Sequence, residues 1–319
     1  MKLRSRLAVA VAVSAAIAGS TLAVSTTSAQ AAGKPVIAMI THSDDGTFWS
    51  VVKKGATRAA QQLGVTLQWD ASNNDAQKQA QYILAAVSQH VAGIAISIPN
   101  PDAIKAAVAK AVAAHIPVVS LNSGSNDFAA FGAITHVGQD ENVAGAGAGK
   151  RFAAAGAKHL LCVIQEQSNQ GLEQRCDGAK STFGGTVDKL YTKGDADITT
   201  STQQVAAKLS ADKTIDAVLA EGPVGATEAM SAVKSTGSKA IIGNFDLDPK
   251  VLDGIKSGQI AFAVDQQQYL QGYLAVSFLW LNITNANTVG GGLPVMTGPG
   301  FVTKDNVAKV QALTALGTR

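Results

Sequence analysis

Short apolar runs alternate with amphipathic stretches along this chain, and that alternation narrows the possible folds more than any single motif. From Lys34 one unit repeats. Val36 to Ile40 is a short apolar run, a polar loop follows from Thr41 to Thr47, and Phe48 to Leu63 has the spacing of an amphipathic helix closed by Gly64. Val65 to Trp69 reads as the next strand, Asp75 to Gln89 as a helix and Gly93 to Ile96 as a buried strand. Pro101 to Ala114 reads as a helix with proline in its first turn, and Pro117 to Leu121 as a further strand. Parallel strands need crossover connections, and right-handed crossovers put helices on both faces of a sheet. The expected class is therefore α/β with parallel sheets.

The pattern restarts after His136. Strands are expected over Lys158 to Ile164, Thr186 to Tyr191, Ala217 to Ala220, Ala240 to Gly243 and Ile260 to Val264. Helices are expected near Asn142 to Ala155, Leu172 to Phe183, Thr202 to Leu209, Val224 to Lys234 and Pro249 to Lys256. Two successive sets predict two similar lobes, in keeping with a chain too long for one ordinary core. The apolar helix Tyr269 to Leu281 has no slot in the second set and is assigned to the first lobe. Gly290-Gly291-Gly292, Pro294 and Pro299 read as connecting loop.

Ahead of these units stands an export signal. Lys2, Arg4 and Arg6 form a basic head, Leu7 to Val24 an apolar stretch, and Ala29-Gln30-Ala31 a small-x-small cleavage site. Ser14, Gly19 and Ser20 interrupt the stretch, which favours removal of residues 1–31 over a retained membrane anchor. No cysteine follows the cleavage site, so a lipid-anchored start is not expected. The chain carries 26 Lys and Arg against 23 Asp and Glu, and the three basic residues of the leader account for the difference. With no basic run after Arg6, nucleic acid drops out as a partner.

Cys162 and Cys176 are the two cysteines. In an oxidising compartment such a pair is expected to form one disulfide, the first ending a strand and the second opening the next helix. The histidines, His42, His90, His115, His136 and His159, show no metal-ligand spacing and are read as ordinary surface or loop residues, so no metal is expected.

In open α/β sheets ligands sit beyond the carboxyl ends of the strands. The loops there carry Asp45, Phe48, Trp49, Asn122, Arg175, Asp246 and Gln266. Aromatic faces pack on the C–H faces of a sugar ring, while Asp, Asn, Gln and Arg supply the donors and acceptors that buried hydroxyls need. Each has a plainer alternative. Phe48 and Trp49 fit the core of the first helix, Asp246 fits a cap for the helix after Asp248-Pro249, Arg175 a surface ion pair, and Asn122 a turn. What favours a site is that all fall on the same predicted edge.

These residues carry a resemblance. Phe48-Trp49-Ser50-Val51-Val52-Lys53-Lys54-Gly55-Ala56, Ile116 to Asn122, Val137-Gly138-Gln139-Asp140, Asn244-Phe245-Asp246 and Asp265-Gln266-Gln267 resemble the periplasmic ribose/galactose-type sugar-binding proteins of ABC importers. The resemblance implies the type I periplasmic binding protein fold: two Rossmann-like lobes with parallel sheets, joined by a three-segment hinge. Residues 34–136 with about 267–297 would form one lobe, and 137–266 with about 298–319 the other. It further implies a monosaccharide or polyol in the cleft, closure on binding, a membrane permease as partner, a monomer and a periplasmic location. By position, Phe48 and Trp49 take the places of the stacking aromatics, Arg175 and Asp246 those of the sugar-binding arginine and aspartate, and Gln266 that of a glutamine near the hinge.

The chain departs from the pentose binders at three points. Asn122-Ser123 replaces Asp-Arg, Gly222 replaces an asparagine, and the first-loop acceptor is displaced to Asp45-Gly46-Thr47. These changes point away from ribose and towards a polyol or a differently substituted monosaccharide. No Gly-x-Ser-x-Gly elbow, phosphate loop or zinc spacing occurs, so neither an enzyme nor a cofactor is expected. Gly145-Ala146-Gly147-Ala148-Gly149, which follows no expected strand, reads as a close-packing helix face. A transcriptional regulator with the same lobes would begin with a DNA-binding helix-turn-helix where the leader stands. A receptor for a furanosyl signal molecule or a chemotaxis ligand is the competing function.

Overall fold

The strands of this protein gather into two sheets, which follow one plan. The computed structural model describes residues 33–44 and 46–319, so the leader and Asp45 lie outside the described residues. Among the described residues each sheet has six strands. The first holds β1 (Val36–Thr41), β2 (Thr66–Ala71), β3 (Gly93–Ile96), β4 (Val118–Asn122) and β5 (His136–Gly138). Its order is β11-β5-β4-β3-β1-β2, with β11 (Val295–Met296) at the edge and all pairings parallel. The second holds β6 (His159–Ile164), β7 (Thr186–Tyr191), β8 (Ala217–Ala220), β9 (Ile241–Phe245) and β10 (Phe262–Asp265). Its order is β12-β10-β9-β8-β6-β7, in which β12 (Gly300–Val302) pairs antiparallel with β10.

Helices cover both faces of each sheet, because strands buried on two sides must be shielded on two sides. In the first lobe α1 (Gly46–Leu63) and α9 (Gln268–Asn285) bury one face through Val52, Ala56 and Leu279 against Ile37 and Met39. On the other face, α2 (Ala76–Ser88) and α3 (Pro101–Ala113) pack Ile83 and Ile104 against Ile40 and Ile94. In the second lobe α4 (Glu141–Ala154) and α5 (Gln170–Phe183) cover one face. α6 (Ile198–Ala211), α7 (Pro223–Thr236), α8 (Pro249–Ser257) and α10 (Val307–Ala315) cover the other.

Local chemistry sets the helix starts. Asp75, Asn100, Asp140, Asn169, Asp197 and Asp248 each accept a backbone N–H of the first turn. The cap of α8 is thus Asp248, which leaves Asp246 free for another use. At Gly145 a Cβ would collide with the carbonyl of Arg175, and at Gly272 with that of Val52. These glycines bring α4 onto α5 and α9 onto α1, so the Gly145 to Gly149 run is a packing face inside a helix.

Two expectations need correction, and one strand was missed. The segment read as connecting loop after Gly290 supplies β11 and β12, an edge strand for each sheet, followed by α10. β5 precedes α4 and was hidden because three residues carry no periodicity. Cys162 and Cys176 are disulfide-bonded, but from mid-strand in β6 to mid-helix in α5, since that helix begins earlier, at Gln170. Among the described residues no helix is long and apolar enough to cross a membrane.

The chain passes between the sheets three times: from β5 to α4, from β10 to α9, and from β11 to β12. Thr297 ties these passages together. Its N–H donates to Gly138 O at 2.6 Å, its hydroxyl to Gln266 O at 2.6 Å, and its carbonyl accepts from Gln267 Nε2 at 2.6 Å.

Candidate functional site

Between the carboxyl ends of the two sheets lies a cleft of about 710 Å³. From the first lobe His42, Phe48, Trp49, Asn73, Asn74 and Asn122 line it. From the second come Gln165, Glu166, Asn169, Arg175, Glu221 and Asp246. The structure therefore brings Phe48, Trp49, Asn122, Arg175 and Asp246 to one cavity, while Asp45 lies outside the described residues.

Trp49 serves both readings, being buried in the first-lobe core and facing the cleft. Its ring meets His42 edge-on at 5.0 Å and Phe48 at 5.1 Å between centroids. Phe48 is half-buried beside it. Such edge-to-face contacts are a favoured aromatic geometry and hold the rings at a fixed tilt.

Gln266 stands behind the cleft wall, fully buried. It receives Asn122 Nδ2 at 3.4 Å and Gln271 Nε2 at 2.9 Å on its Oε1, and its Nε2 donates to Asp246 Oδ1 at 2.8 Å. One amide thus joins a residue of the first lobe to one of the second.

Arg175 is buried. Its Nε donates to Glu141 Oε2 at 2.6 Å, its Nη2 to Glu141 Oε1 at 3.3 Å and its Nη1 to Glu221 O at 3.1 Å. The guanidinium lies 4.3 Å from the Phe245 ring centroid. The paired carboxylates hold its pKa above the ordinary arginine value against the opposing effect of burial. Burial pushes the Asp246 carboxyl up to about 7, with Arg175 and the Gln266 amide pulling the other way. Glu221 is likewise raised, well above the carboxylate range, by burial. Its Oε1 lies 3.0 Å from Cys162 Sγ, whose disulfide sulfur has no hydrogen to give.

Across the cleft mouth the lobes touch directly. His42 Nε2 lies 3.6 Å from Glu166 Oε2, Ser123 Oγ is 3.3 Å from Asn169 Oδ1, and Gln170 N donates to Pro99 O at 3.0 Å. Burial tends to raise the Glu166 carboxyl, but hydrogen bonds from His42 and Asn169 and the charges of His42 and Arg175 outweigh it and bring it to about 2.

The histidines correct an expectation. His42 and His136 are buried, His42 bonding Ser97 Oγ through Nδ1 at 2.8 Å and His136 Nδ1 lying 2.9 Å from Ser120 Oγ. Burial drives the His136 imidazole down to about 3. His42, Gln165 and Glu166 follow β1 and β6, so the strand-end rule applied to every strand would have found them. Glu141 carried no such signal, because 34 residues separate it from Arg175.

The departures from the pentose binders also have places. A Cβ on Gly222 would crowd Gln165 Nε2, so the Gln165 amide occupies the space beside it. Asn122 Oδ1 accepts from Ser123 Oγ at 3.0 Å.

The model of the periplasmic binding protein domain matches residues 12–287. The chain belongs to that family. Among its relatives, the ribose import binding protein of Haemophilus influenzae is 30% identical over 78% of this chain and 86% of its own length. A carbohydrate transporter structure from Acidothermus cellulolyticus 11B, in complex with myo-inositol, shares 46% identity with a TM-score of 0.87, covering 90% of this chain and all of that one (100%). A solute-binding protein of an ABC transporter from Burkholderia graminis C4D1M, in complex with D-arabinose, shares 26% identity at a TM-score of 0.77 over 86% of this chain and 97% of its own. The family consists of transport binding proteins, and the two-sheet architecture with three crossings is its type I fold.

Proposed function

We propose that this periplasmic binding protein captures a monosaccharide or polyol in the interlobe cleft and delivers it to an ABC importer. The observation that carries the reading is the cleft itself, where aromatic rings on one side meet a guanidinium and hydrogen-bonding side chains on the other. A polyhydroxyl ligand offers many donors and acceptors in a small volume, and groups drawn from both lobes are satisfied together only when the lobes are closed on it. Asp45, Phe48, Trp49, Asn122, Arg175 and Asp246 contact the ligand in this reading, and Gln266 senses closure from the hinge. A cyclitol such as myo-inositol, the molecule bound by the 46% identical neighbour, heads the candidates.

The lobes are residues 34–136 with about 267–297 and 137–266 with about 298–319, save that β5 runs on to Gly138 in the first sheet, and the passages between them form the hinge. The leader is removed after Ala31, the mature chain works outside the cytoplasm as a monomer, and its partner is the permease of the importer. It catalyses no reaction and holds no cofactor or metal. A thermal-shift screen of the mature chain against sugars and polyols tests the reading. One of them should raise the melting temperature with concentration, and a panel without effect would overturn the assignment.

A further inference from the structure

Three of the five N–H groups of Arg175 are engaged within the protein, two by Glu141 and one by the Glu221 carbonyl, which leaves one N–H on each terminal nitrogen for a ligand. The plane of the guanidinium is thus set by Glu141 on its edge and by the Phe245 ring on its face. Glu141 is itself 1% exposed, and its Oε2 also accepts from Gln139 Nε2 at 3.0 Å. Gln139 lies in the first passage between the sheets, just past β5. An unbroken line of hydrogen bonds therefore runs from a crossing segment to the cleft. Asp140 already caps α4 by accepting from Val143 N at 3.0 Å, so Glu141 is not needed for that task.

Charge gives Glu141 a second effect. One guanidinium faces three buried carboxyls, Glu141, Glu221 and Asp246. A single cation balances a single carboxylate in a medium of low polarity. Glu141 makes two of the guanidinium's bonds, while burial raises the Glu221 carboxyl, whose Oε2 lies 3.8 Å from Arg175 Nη1, well above the carboxylate range. Burial is the largest influence on the Asp246 carboxyl, the acceptor at the cleft, and after it the Arg175 charge lowers the carboxyl while Glu141 raises it.

We propose that Glu141, held by Gln139, is a positioning residue of the sugar site, setting both the plane of Arg175 and the charge left to act on Asp246. The proposal deepens the sugar-binding reading and rests on it for the ligand, though not for the effect on Asp246. The other groups acting on the Asp246 carboxyl are the Gln266 amide and Asp265 of β10, the latter paired with Arg319 at 2.6 Å, while Asp248, Glu166 and His42 line the same cleft. They are the same in each variant below.

The test follows the Asp246 carboxyl by 13C NMR titration of the ligand-free mature chain, with Asp246→Asn identifying its resonance. In Glu141→Gln the freed guanidinium should lower the Asp246 midpoint by about one pH unit or more. Calorimetry with myo-inositol, D-ribose and D-arabinose as probes should show affinity for the best of them falling about tenfold or more in the same variant. An unmoved midpoint together with unchanged affinity would overturn the proposal and leave the sugar-binding reading standing. If the wild type binds none of the probes, the sugar-binding reading suffers instead, and the midpoint alone decides for or against Glu141. If Glu141→Gln does not fold, Gln139→Ala keeps the carboxyl group but loosens its hold on the guanidinium, and gives the second measurement. It should shift the Asp246 midpoint in the same direction by a smaller amount, and a midpoint identical to wild type would overturn the relay.

Discussion

Asn122 and Asp246 occupy matching places in the two lobes, at the ends of β4 and β9, and both bond Gln266. Both also adopt the left-handed backbone conformation, with φ of 63° and 66°. Asn and Asp are the non-glycine residues that tolerate it best. The backbone turns sharply as each strand ends, and this turn brings the side chain to the cleft. The internal repeat of the fold thus puts one polar residue from each sheet on either side of a single hinge amide.

The raised Asp246 carboxyl makes stability depend on pH. Its pKa is about 7 in the folded chain and near 3.8 when exposed, so its favourable contribution is full below about 4 and is lost as pH rises through 7. Asp246→Asn stays neutral throughout. Urea midpoints should therefore show the variant gaining on the wild type between pH 5 and pH 8, at up to about 1.4 kcal/mol per pH unit. Parallel pH profiles would mean that Asp246 ionises freely in the folded protein.

Cys162 and Cys176 are both fully buried, so their bridge should resist reductant until the chain unfolds. Thiol labelling in denaturant without reductant should find no reactive cysteine. Paired replacement by Ser should cost on the order of 3 kcal/mol, from the loop-closure entropy returned to the unfolded chain. Two labelled thiols per chain would refute the bridge.

Gly222→Asn tests the pocket wall. The new side chain must displace the Gln165 amide, so affinity for the natural ligand should fall about tenfold while folding stability changes little. Calorimetry that finds equal affinity would mean Gln165 does not contact the ligand.

Much of the lower-order structure was legible because it is periodic. Strands such as Gly93–Ile96, Thr186–Tyr191 and Ala217–Ala220 are short apolar or alternating runs between turn residues, whereas the cap of α8 is Asp248 and not Asp246, the candidate the sequence suggested. β5, β11 and β12 were not legible, since strands of two or three residues exist through pairing rather than pattern. The site was legible where it follows strand ends, as at Asn122 and Asp246. His42 was misjudged because metal spacing was the test applied, whereas Trp49 and Ser97 fix its place. Glu141 was invisible, because its partner Arg175 comes near only after α4 packs on α5.

Closure should be measurable in solution. With ligand groups on both lobes, the complex should show a smaller radius of gyration by small-angle scattering than the ligand-free chain. Asn169→Ala removes a contact across the cleft mouth and should weaken binding while leaving the compaction by saturating ligand in place. Tight binding with an unchanged scattering profile would argue for a rigid pocket.

The central claim is that a sugar or polyol is held by both lobes at once, and calorimetric titration of the wild type, Asn122→Ala and Asp246→Ala tests it most directly. With the ligand that stabilises the wild type, binding should be one to one, and Asp246→Ala should lose about 2 to 4 kcal/mol by removing a charge-assisted acceptor. Asn122→Ala, from the opposite lobe, should lose about 1 kcal/mol or more. Wild-type affinity in both variants would contradict a site shared between the lobes.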